Sequence, residues 1–161
     1  MNITKPMGQA SRNGINSAID AIDFSRLRYK IMKEEKWSEG KCINAESQYK
    51  KWLTIKKENP GVDIVPSKFI DEFWHYHILD TRSYAEDCDN VFGYFLQHYP
   101  YFGIYGEEDE KNLNDAFVET CKLYEERFAE KMDEEYDAAR CGGHDCHSPS
   151  SCACRSPGAC K

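Results

Sequence analysis

The stretch PSKFIDEFWHYHILDTRSYAEDCDNVFG, residues 66–93, decides the fold. Pro66 suits a first helical turn, where its missing N–H goes unmissed, and Ser67 can cap the same turn. From there to Leu79, Ile70, Trp74 and His77 fall on one helical face, with Phe73 and Ile78 flanking it. Asp80 or Thr81 then caps a second helix that runs to about Phe92, where Gly93 interrupts it. On that helix Tyr84, Cys88 and Val91 share an apolar face with Phe95. Helices joined by so short a turn pack antiparallel, so the motif predicts helix-on-helix packing rather than a sheet.

Working outward, apolar residues recur at helical spacing nearly everywhere. Ile19, Ile22, Leu27 and Ile31 predict a helix over 17–35. Tyr49, Trp52, Leu53 and Ile55 predict another over 44–57, stopped by Asn59-Pro60-Gly61. Val62–Pro66 is the only strand-like run. Gln97–Gly103 reads as an aromatic loop, because Pro100 disfavours helix just before it. It either packs on the C-terminal helix or meets a partner. Residues 107–139 predict the longest helix, with Leu113, Phe117, Cys121, Tyr124, Phe128 and Met132 as its stripe. Acidic residues at 107–110 sit favourably at its positive end. The expectation is an all-α compact bundle of about five helices over 1–140 with a long C-terminal helix, followed by an irregular Cys/His-rich flexible tail over 141–161.

Charge narrows the function. A formal net charge of −7 argues against nucleic-acid binding, which needs a Lys/Arg surplus, and against docking on anionic membranes. No apolar run approaches the roughly 20 residues that span a bilayer. The N-terminus has no hydrophobic signal core, so the expected location is cytoplasmic.

Eight cysteines are many for this length, and their placement is uneven. Cys42 and Cys121 lie in helical stripes and read as packing. Cys141, Cys146, Cys152, Cys154 and Cys160 crowd the tail with His144 and His147, beyond Gly142-Gly143. Soft thiolates and imidazoles on a pliable Gly/Ser/Pro backbone suit Zn or Cu(I), and folding around the ion would order the segment. The alternative is a tail whose cysteines are incidental.

In the body, His75 and His77 stand two apart on a helix and cannot easily hold one ion. A better set takes one of these histidines, Cys88 from the next helix and His98 from the following loop. Imidazole and thiolate favour Zn, Cu or Fe over Mg or Ca. Asp71, one turn before His75, can orient it. Each has a plainer reading: Cys88 as core, His77 as a buried histidine bonded to a carbonyl or a tyrosine, His98 as surface.

This block, with Trp74, His75, Leu79, Thr81, Tyr84, Cys88, Phe92, Gly93, His98 and Pro100, resembles the core motif of the glycine-rich domain-containing protein-like family. The chain departs from it in having Gln97-His98 where a double histidine is common, and in the extra His77. The resemblance spans roughly residues 63–103, excludes the tail, implies a helical fold, and nominates His75, Cys88 and His98 as a functional set.

Three functions remain open at this level. The first is a transition-metal-binding helical protein whose thiol-rich tail captures or transfers a soft metal. The second is a precursor polypeptide whose tail a partner enzyme modifies. The third is a metal- or thiol-dependent enzyme using His75, Cys88 and His98.

Overall fold

A computed structural model describes residues 14–132. The tail ligands Cys141, His144, Cys146, His147, Cys152, Cys154 and Cys160 therefore lie outside the described residues. The described chain is all-α, in six helices: α1 Ser17–Asp20, α2 Ser25–Glu35, α3 Glu39–Glu58, α4 Lys68–Leu79, α5 Thr81–Phe92 and α6 Glu107–Phe128.

α3 is the axis of the bundle. Its face of Cys42, Ala45, Tyr49 and Trp52 is wholly buried, and it packs against α1, α2, α4 and α6. It begins five residues before the expected start, because Ser38 caps it by accepting from the Lys41 backbone N–H.

The helix expected over 17–35 is broken. Lys50, buried on α3, donates to the carbonyls of Asp20 and Ile22 at 3.0 and 2.9 Å, satisfying acceptors that a continuing helix would use. Asp23 then accepts from the Ser25 backbone N–H and starts α2 afresh. The break drives Phe24 into the core against Tyr49, Phe73 and His77.

Ser67 caps α4 through the Ile70 N–H, and α5 ends at Gly93 with φ 77°, both as the sequence predicts. Val62–Pro66 forms no strand among the described residues. Instead Val65 donates its backbone N–H to Thr120 Oγ1 of α6 at 2.9 Å, which holds the linker against that helix. α6 stops at Phe128 rather than near 139: Ala129 turns left-handed at φ 54°, Glu130 meets Lys51, and Met132 folds back into the core.

Candidate metal centre

The loop after α5 is pinned before it reaches the site. Trp74 Nε1 donates to Tyr84 Oη at 3.0 Å, and Tyr84 Oη donates to the Leu96 carbonyl at 2.6 Å. All three groups are buried. This chain of bonds delivers His98, two residues on, to the face of α4. There its ring lies over Trp74, with centroids 4.4 Å apart.

Three ligand atoms converge at that point. Asp71 and His75 stand one turn apart on α4, and His98 arrives from the loop. His75 Nε2 and His98 Nε2 are 3.0 Å apart, His98 Nε2 is 2.9 Å from Asp71 Oδ1, and His75 Nε2 is 3.5 Å from Asp71 Oδ2. One atom from each residue fits within 4.8 Å of the others. Tetrahedral zinc with bonds of 2.0–2.1 Å sets its ligand atoms about 3.3 Å apart, so the triad is within a few tenths of an ångström of a metal cage.

Hydrogen bonding alone leaves this cluster short. A neutral imidazole carries one N–H, so His98 Nε2 cannot satisfy both His75 and Asp71. Asp71 Oδ2 is buried without a hydrogen-bond partner among the described residues, on a side chain 1% exposed. An orphaned buried carboxylate oxygen costs at least about 1–3 kcal/mol. Burial holds the His75 imidazole below its ordinary pKa; the Asp71 charge opposes this and His98 adds to it. The result is the neutral, ligand-competent form.

Asp71 and His98 also line a cavity of about 360 Å³. Its wall is built from the 63–66 linker, the 97–102 loop and Leu113 of α6, with Lys56 from α3.

A family model described as UCP032817-like matches residues 16–137. The chain belongs to the UCP032817-like family. This family is uncharacterised, in keeping with a domain of unknown function, while the glycine-rich name remains a resemblance carried by the motif. The match takes in every described helix and leaves 138–161 beyond it. No curated protein and no solved structure matches the chain.

The other residues singled out from the sequence are placed elsewhere. His77 is buried, with Tyr49 Oη 2.9 Å from Nδ1 and Asp87 Oδ2 2.9 Å from Nε2. Burial keeps Tyr49 protonated, so its hydroxyl donates to Nδ1 and His77 donates from Nε2 to Asp87, leaving no lone pair for an ion. Cys88 is buried beside Tyr84 and the Leu96 backbone, and burial pushes its thiol up, the reverse of an activated nucleophile. Neither joins the triad. Asp71, which the sequence suggests only as an orienting partner, takes a ligand's position instead. The signal for it was the four-residue step to His75.

Proposed function

We propose that the helical body is a transition-metal-binding domain in which Asp71, His75 and His98 hold one divalent ion. The observation that carries this is the buried Asp71 carboxylate, whose Oδ1 is 2.9 Å from His98 Nε2 and whose Oδ2, without a hydrogen-bond partner among the described residues, is 3.5 Å from His75 Nε2. Two histidines and one carboxylate, with positions left open, suit Zn or Fe(II) and are a poor match to Cu(I), which prefers thiolates. The thiol-rich tail, proposed from its composition to capture or transfer a soft metal, supplies the ligands that the body lacks.

Cobalt substitution separates the two sets. Full-length chain loaded with Co(II) and freed of excess metal is expected to show weak visible bands from nitrogen and oxygen ligation that vanish in His98→Ala. Thiolate charge-transfer bands, if the tail also binds, stay unchanged in that variant. A Co(II) spectrum that is identical in the unsubstituted chain, His98→Ala and Asp71→Ala contradicts the proposal.

A further inference from the structure

The triad's surroundings say what its open positions face. The cavity at Asp71 and His98 is within the usual size range for small-molecule sites, about 300–1,000 Å³. Much of its wall is apolar: Val65 and Leu113 are buried, and Phe102 packs against both. The wall is assembled from five separate parts of the chain, two of them held by the buried bonds from Val65 to Thr120 and from Tyr84 to Leu96. Such a wall is pre-formed rather than incidental.

Its charge is distinctive. Lys56, Asp63 and Asp71 are the charged side chains of the lining. Asp63 offsets Lys56, and a divalent ion offsets Asp71 with one charge to spare. The loaded cavity is net positive in a chain whose formal net charge is −7. Lys56 makes no hydrogen bond or ion pair among the described residues, and burial lowers its pKa against the pull of Asp63. A half-buried ammonium of this kind gains from an anion that approaches it.

We propose that this cavity binds a small organic carboxylate, one oxygen on the metal ion, its apolar body against Val65, Phe102 and Leu113, with Lys56 as the cationic anchor. The assignment rests on the metal reading above and deepens it from a bound ion to a ligand-binding centre.

The test titrates the full-length Co(II)-loaded chain with phenylacetate, acetate and benzyltrimethylammonium, following the visible bands. Phenylacetate is expected to saturate and to bind about tenfold more tightly than acetate, which has no body to cover the apolar wall. The cation is expected to leave the bands unchanged. Lys56→Met, which keeps the stem, is expected to retain Co(II) and weaken phenylacetate about tenfold, and Lys56→Arg to recover most of that loss. Equal binding of acetate and phenylacetate, a response to the cation, or unchanged affinity in Lys56→Met overturns the pocket while the metal centre stands. A Co(II) spectrum that His98→Ala leaves unchanged before any probe is added overturns both.

Discussion

His75 and His77 sit two residues apart on α4, and their surroundings separate them completely. His77 has a hydroxyl on one nitrogen and a carboxylate on the other, inside a ring of Phe24, Tyr49 and Tyr84. His75 faces a second imidazole and a carboxylate whose outer oxygen has no hydrogen-bond partner among the described residues. Satisfied hydrogen bonding makes one histidine a piece of core, and unsatisfied bonding makes the other a candidate ligand. Residue type and helix are the same, so the difference lies in what the rest of the fold brings to each face.

That contrast can be broken from either side. The largest effect is expected from removing a ligand: His75→Ala, His98→Ala or Asp71→Ala should weaken metal binding by more than the roughly 10–100-fold typical of an outer partner, read by competition with a chelator. His77→Ala should do the opposite, leaving metal content intact while costing about 2–4 kcal/mol in chemical denaturation, because it opens a cavity and strands Tyr49 and Asp87. Were His77→Ala to strip the metal with the fold preserved, the two histidines would not be distinct.

Tyr84→Phe sharpens the comparison, since it keeps the ring that packs on His77 and removes only a hydroxyl that bonds neither histidine. Losing the bonds to Trp74 Nε1 and the Leu96 carbonyl should cost about 1–2 kcal/mol and, by loosening the segment that carries His98, lower metal affinity about tenfold.

The smallest effect concerns protons. Burial depresses the His77 pKa below its ordinary 6.5, although Asp87 opposes the shift. The unfolded chain then takes up a proton that the folded chain refuses, so His77 makes metal-free stability fall as pH drops below about 6.5, by at most about 1.4 kcal/mol per pH unit. His77→Gln should flatten that slope in denaturation series between pH 7 and 5.

Much of α4 and α5 was legible in the sequence because local chemistry sets it: the Ser67 cap, the Gly93 stop, the inward His77, and Asp71 one turn from His75. The break after Asp20 was not, because its cause is Lys50, some thirty residues away on α3. The early end of α6 depends likewise on Glu130 meeting Lys51 of α3 and on Met132 reaching the core. At the site, the sequence named His75 and His98 but added Cys88, which shares the helical period of the core and belongs with it. Asp71 was undervalued, since only the fold shows that one of its oxygens is left without a partner. Lys56 and the cavity carry no local pattern. The loop aromatics split: Phe102 packs on Leu113, while Tyr99, Tyr101 and Tyr105 are exposed.

The most direct test is metal content by plasma mass spectrometry of full-length, anaerobically purified chain against Asp71→Ala/His75→Ala/His98→Ala, with every tail cysteine kept. The triple variant is predicted to carry roughly one equivalent less Zn or Fe per chain, whatever the tail contributes. Equal metal in the two proteins, with the helical fold of both verified by circular dichroism, would contradict a metal centre in the body.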